Sequence, residues 1–164
     1  MKTKSGLWEI RSRNWGRAAF FLAMALLNLG ISLLTSLLGS LYMPGTFNTR
    51  IFEGWSLPAI FLVVVIAGPF LETLCYQYAL IEGTLYYSGK NRRGIFLAIA
   101  VSALAFGISH LYNTVYMLAA MCMGVSLAYT YVRFRARSDI SPFLGVYAIH
   151  AGINLVAFVI NDLT

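Results

Sequence analysis

The sequence predicts an all-α protein, a polytopic membrane helical bundle of about five transmembrane helices. Three observations lead there. The 164 residues are 59% hydrophobic and only 11% charged, with a mean hydropathy of +0.73, whereas a soluble domain carries about 25% charged residues. So little polar surface cannot cover a water-soluble globule. The apolar residues gather into five runs, each near the ~20 residues that a helix needs to cross a bilayer. None of the runs alternates polar and apolar with period two, as the strands of a membrane barrel do.

The expected spans are about 18–41, 57–81, 94–113, 114–132 and 141–160, all within a single integral membrane domain, 1–164. The first follows a basic N-terminus, as a secretory signal would. It is longer than the about 7–15-residue apolar core of a cleaved signal, so a retained signal-anchor helix is expected. The stretch before it, KTKSGLWEIRSRNWGR, is expected to lie along the membrane surface. The second span holds Gly68-Pro69 and Glu72, and Glu82 at its end reads as a solvated helix-end charge. Only Tyr112-Asn113-Thr114 separates the third and fourth spans, which predicts a tight helical hairpin. The fifth carries His150 and Asn154.

Trp8, Trp15, Trp55, Tyr42, Tyr86 and Tyr87 cluster near span ends, as interfacial anchors do. Small residues four apart, Ala103/Gly107, Ala120/Gly124 and Ala148/Gly152, allow helices to approach closely in lipid. Cys75 and Cys122 lie in apolar runs and read as small hydrophobes in helix packing rather than a disulfide.

Charge sets the expected orientation. Lys2, Lys4, Arg11, Arg13 and Arg17 precede span one; Lys90, Arg92 and Arg93 follow span two; Arg133, Arg135 and Arg137 follow span four. Five spans place all eleven on one side and leave Arg50 alone on the other. The positive-inside rule makes the crowded side cytoplasmic, with the N-terminus inside and the C-terminus outside. The same rule accounts for the net charge of +6, so the lipid bilayer is the expected partner and no nucleic acid is needed.

Within the spans the ionisable residues are Glu72, His110 and His150, and Asn154 adds a strong polar group. Such groups are costly in lipid and face a bundle interior or a wet cavity. Glu72 and Tyr76, Phe106 and His110, and His150 and Asn154 are each i, i+4 pairs on one helix face. Three helices can therefore aim polar groups at a common point. At about 1.5 Å per residue, Glu72 and the His150/Asn154 pair lie at matching depths, and His110 lies nearer the outer face.

A carboxylate and an imidazole can together hold and deprotonate a water. A second imidazole and an amide one turn apart can donate to a developing oxyanion. The set suits hydrolysis of an amide bond at membrane depth. Two other readings stay open on these residues: polar glue between helices, and a proton relay in a transporter.

The ordered motifs ETLCYQ (72–77), FGISH (106–110) and HAGIN (150–154) resemble the CPBP family of CAAX proteases and bacteriocin-processing enzymes, also called Abi, with its EExxxR, FxxxH and HxxxN motifs on membrane helices. Gly68-Pro69 fits as well, and the protease-like core covers about 57–160. The resemblance implies a glutamate-type intramembrane endopeptidase in a bacterial inner or plasma membrane. It implies that Glu72 activates water with His110, and that His150 and Asn154 stabilise the oxyanion. Thr73, Tyr76, Gln77 and Phe106 are the supporting residues. The implied substrate is a membrane-embedded or membrane-anchored protein or peptide, with no cofactor. Glu72, His110 and His150 could supply three zinc ligands, but the resemblance favours a metal-free mechanism.

Two departures stand out. Thr73 occupies the place of the second glutamate and Gln77 that of the arginine. Losing one charge of a buried pair would strand the other; here both are neutral together and both can hydrogen-bond, which reads as a paired replacement that leaves Glu72 active. The alternative is a catalytically inactive family member that binds membrane peptides or confers bacteriocin self-immunity.

Overall fold

The structure is a computed structural model and describes residues 16–42, 52–111, 113–137 and 141–162. The expectations that rest on Lys2 to Arg13, Trp8, Trp15 and Arg50 lie outside the described residues. Among the described residues there are five helices and no strand. They are α1 (Arg17–Tyr42), α2 (Leu57–Ser88), α3 (Arg92–Ile108), α4 (Thr114–Arg135) and α5 (Pro142–Asp162). Four of them, α1, α2, α4 and α5, are long and apolar enough to cross a membrane.

Local chemistry sets the ends. α2 runs past its expected limit at 81 to Ser88 and stops at Gly89, whose φ of +82° is open to glycine at little cost. Asn91 then caps α3, its Oδ1 accepting the Gly94 N–H at 2.9 Å. α3 is 17 residues long, at the short limit for a span, and ends at Ile108 rather than near 113. It ends early because Asn113 already caps the next helix, accepting the Tyr116 N–H at 2.8 Å. His110 therefore stands in the turn beyond α3 and not on a helix.

Helices α2, α3, α4 and α5 pack in a ring, each against the next, and α1 lies on the outside against α4 and α5. Asn28 of α1 donates to Ser126 Oγ of α4 at 2.8 Å, the interhelical polar contact that lipid favours. Phe20 meets Phe134 edge-on at 5.6 Å, with the Arg133 guanidinium 5.5 Å over its ring.

Two of the three small-residue pairs make the α3–α4 contact. A Cβ on Gly124 would stand 3.0 Å from Ala103 Cα, and one on Gly107 only 1.9 Å from Met121 Cγ. Gly107→Leu should therefore force the hairpin apart and cost about 1–3 kcal/mol. A lowered unfolding midpoint in detergent is the expected result, and an unchanged one would show that the contact is slack. The third pair, Ala148/Gly152, instead lines an apolar groove of about 260 Å³ between α1 and α5.

Two readings of single residues are corrected. Glu82 is not a free charge at a helix end: partly exposed, it holds Arg135 in a two-point pair, Nε to Oε1 at 2.6 Å and Nη2 to Oε2 at 2.9 Å, while Tyr131 donates to Oε1 at 3.1 Å. α4 brings both partners one turn apart to the same carboxylate. Cys75 and Cys122 are free but exposed, so they face outward rather than into helix contacts.

Packing partners fix the level of the hairpin turn. Tyr76 of α2 packs on Phe106 of α3, and Ala103 of α3 on Gly124 of α4, so the turn that begins at Ser109 lies level with Glu72. α2 and α5 continue beyond it, Leu57 being about 22 Å further along at about 1.5 Å per residue. Their outer halves form a separate apolar cluster of Ile60, Val65 and Phe158, with Phe61 against Phe158 at 5.6 Å. The site thus lies where the four-helix ring gives way to an extension of α2 and α5, with α1 alongside α5.

Candidate active site

Glu72 sits midway along α2, between two stretches of wider π-helix, Leu62–Ala67 and Thr73–Ala79. Such wide turns shift side-chain register and recur at functional sites. Pro69 explains the first of them, since proline has no N–H and its ring crowds the carbonyl four residues back.

The turn after α3 brings His110 to Glu72, and the middle of α5 brings His150. Glu72 Oε2 is 3.3 Å from His150 Nε2, and Oε1 is 4.0 Å from His110 Nε2. The three side chains form a gradient of access, with Glu72 32% exposed, His110 14% and His150 3%. A carboxylate thus lies between two imidazoles, one deeply buried and the other partly exposed.

Each imidazole is oriented by its second nitrogen. His110 Nδ1 lies 2.7 Å from the Phe106 carbonyl. A carbonyl only accepts, so Nδ1 carries the hydrogen and Nε2 presents a lone pair towards Glu72. His150 Nδ1 lies 3.5 Å from Thr73 Oγ1. A hydroxyl donates or accepts, so Thr73 can serve His150 in either tautomer while Nε2 faces the carboxylate.

Phe106 packs on both rings, 4.6 Å from His110 and 5.7 Å from His150, with Tyr76 edge-on at 5.5 Å. That gives the phenylalanine of FGISH a physical role: it is the wall that holds the two histidines. Ser109 Oγ donates to the Phe106 carbonyl at 2.8 Å and stands 3.1 Å from His110 Nδ1. It supports the turn rather than acting as a nucleophile.

The remaining residues depart from expectation. Asn154 does not meet Glu72 or either histidine through a hydrogen bond. Its Nδ2 donates to the Val64 carbonyl of α2 at 2.9 Å, which leaves one N–H of the amide for another acceptor. Gln77 is fully buried, and among the described residues neither its Nε2 nor its Oε1 has a hydrogen-bond partner. The expected hydrogen bonding of the Thr73/Gln77 pair is therefore made by Thr73 alone.

Tyr116, at the start of α4, packs on His110 at 5.7 Å and was not singled out in the sequence. Its only signal there is its place just past the hairpin turn. Among the described residues no group of three His, Cys, Asp or Glu side chains is arranged to hold a metal ion. The arrangement suits proton transfer: a lone-pair nitrogen and a carboxylate oxygen, both partly exposed, face each other, and a buried N–H donor backs them.

Comparison with known proteins gives one finding for this region. The sequence pattern of the family described as Rce1-like, type II CAAX prenyl endopeptidase, matches residues 54–156. This stretch covers more than half of the chain and includes α2, α3, α4 and most of α5. No curated protein and no solved structure matches the chain.

Proposed function

The chain belongs to the Rce1-like, type II CAAX prenyl endopeptidase family, and from that premise we propose that it is an intramembrane endopeptidase whose water is activated by Glu72 and His110. At the level of the family it is an integral membrane protein of the CAAX protease kind. The observation that carries the finer reading is the 4.0 Å separation of Glu72 Oε1 and His110 Nε2.

A water donating one hydrogen to each at about 2.8 Å would subtend roughly a right angle, near its own H–O–H angle. Its lone pairs would then point away from both acceptors and towards an incoming carbonyl. In this reading Glu72 takes one proton as the water oxygen bonds to the carbonyl carbon. His150 Nε2–H and the remaining N–H of Asn154 donate to the oxyanion. Collapse breaks the C–N bond, and Glu72 delivers its proton to the leaving amine.

The substrate in this reading is a membrane-embedded or membrane-anchored protein or peptide, reached beside the α3–α4 turn. The N-terminus is cytoplasmic and the C-terminus outside, in a bacterial inner or plasma membrane. The chemistry needs no metal. Chelators should leave cleavage by the purified protein unchanged, and loss that added zinc restores would replace this mechanism with a metal-assisted one.

Thr73 should be secondary. Thr73→Ala removes a 3.5 Å contact on His150 and leaves Glu72 in place. It should slow cleavage by less than about tenfold, since a weak neutral contact contributes about 1 kcal/mol. Equal effects of Thr73→Ala and Glu72→Gln would contradict the assignment.

The test of function is a comparison of protein termini in membrane and secreted fractions of the host, between the parent protein and a Glu72→Gln variant that accumulates normally. Mature termini should vanish and uncut precursors appear. Gln77, buried without a hydrogen bond among the described residues, favours one second reading: a family member that binds peptides without cutting them. Unchanged termini would make that reading the leading one.

A further inference from the structure

In the middle of helix α2, proline removes the amide that would serve the Val64 carbonyl. In the wide turn ahead of Glu72 the Gly68 N–H bonds to Val63 O, five residues back. The next amide in that register would bond to Val64 O, but residue 69 is proline and has no N–H. The wide register and Pro69 together therefore leave Val64 O without a backbone donor, and an orphan carbonyl at membrane depth costs several kcal/mol. The donor that fills the place comes from another helix: Asn154 Nδ2 of α5, at 2.9 Å.

We infer that Pro69 is a positioning residue, which acts by leaving the Val64 carbonyl open to grip the Asn154 amide. The grip does two things. It ties α5 to α2 next to the turn that carries Glu72, so the helix with the base and the helix with His150 move together. It also fixes the Asn154 amide plane through one N–H, so the second N–H holds a set direction. An amide without that anchor would rotate about its last side-chain bond and donate only part of the time. A misplacement of about 1 Å is enough to cost up to 10²-fold in rate.

This inference rests on the peptidase reading above. Its test is a double-mutant cycle on the full-length protein in bilayers, with Pro69→Ala, Asn154→Ala and the two combined. The substrate is a peptide that the parent cleaves, and Glu72→Gln is assayed beside it. Pro69→Ala supplies an N–H that competes for Val64 O. It should lower kcat about tenfold with little change in KM, as a lost orientation does. Asn154→Ala should lower kcat by about 10²-fold, the loss of one oxyanion donor. The double variant should match Asn154→Ala alone, because Pro69 acts only through the amide.

Unfolding midpoints give a reading that needs no substrate. Asn154→Ala should lower the midpoint in the Pro69 protein and leave it unmoved in the Pro69→Ala protein, where Val64 O has a backbone partner. Full kcat in Pro69→Ala overturns the inference, and so do independent, multiplying effects of the two substitutions. Cleavage that survives Glu72→Gln would instead overturn the peptidase reading, and the unfolding cycle would still report on the anchor by itself.

Discussion

Glu72→Gln is expected to lower the rate of peptide cleavage by about 10²- to 10⁴-fold, the usual contribution of a general base, while the protein accumulates and unfolds like the parent. Glutamine has the shape of glutamate and keeps an oxygen or an NH₂ facing each histidine. It cannot take a proton from water at neutral pH. The substitution also replaces a partly buried carboxylate by a neutral group, so no loss of stability is expected from the charge. Single-turnover cleavage of an identified substrate measures the effect, with unfolding in detergent as the control. Cleavage within about threefold of the parent, well below the effect of losing a general base, would remove Glu72 from the chemistry and leave the binding reading in its place.

His150→Ala should have the second largest effect, a fall in kcat of about 10²- to 10³-fold, as for loss of an oxyanion donor. Its ring is the more buried of the two imidazoles, and its Nε2 makes the shorter approach to Glu72, at 3.3 Å. Truncation removes that donor and also the ring against which Phe106 packs. His150→Gln, which restores an N–H of similar reach, should recover part of the rate. A purely structural histidine would lose stability in both variants and show no such recovery. His110→Ala provides the contrast. A lone-pair acceptor is lost there, and KM and kcat report whether the water or the substrate depended on it.

How much of this was legible from residues alone can be read position by position. Glu72, His110 and His150 stood out because an ionisable group in an apolar run is costly and needs a reason, and the fold brings both histidines within 4.0 Å of Glu72. The hairpin was legible in Asn113, a good capping residue between two apolar runs. The end of α3 at Ile108 was not, because hydropathy counts apolar residues and Leu111 is as apolar as any in the helix. Glu82 was misjudged for a related reason. Its partner Arg135 is 53 positions away, and a charge near a span end looks the same in sequence with or without a partner.

Asn154 shows where sequence stops and tertiary structure begins. HAGIN places His150 and Asn154 on one face of α5, by helical periodicity alone. Which acceptor the amide meets depends on the wide turn that Pro69 leaves in α2, 85 residues earlier in the numbering. The sequence by itself determined the class of the protein and which ionisable groups lie within its apolar spans. Both follow from composition and from the cost of burying charge in lipid, and neither needs a partner to be known. Only the tertiary structure decided which groups touch. It placed the turn after α3 level with Glu72, gave Thr73 to His150 and tied Asn154 to Val64. Each of those contacts joins two helices, and periodicity within one helix carries no information about how the other is rotated or how far it extends.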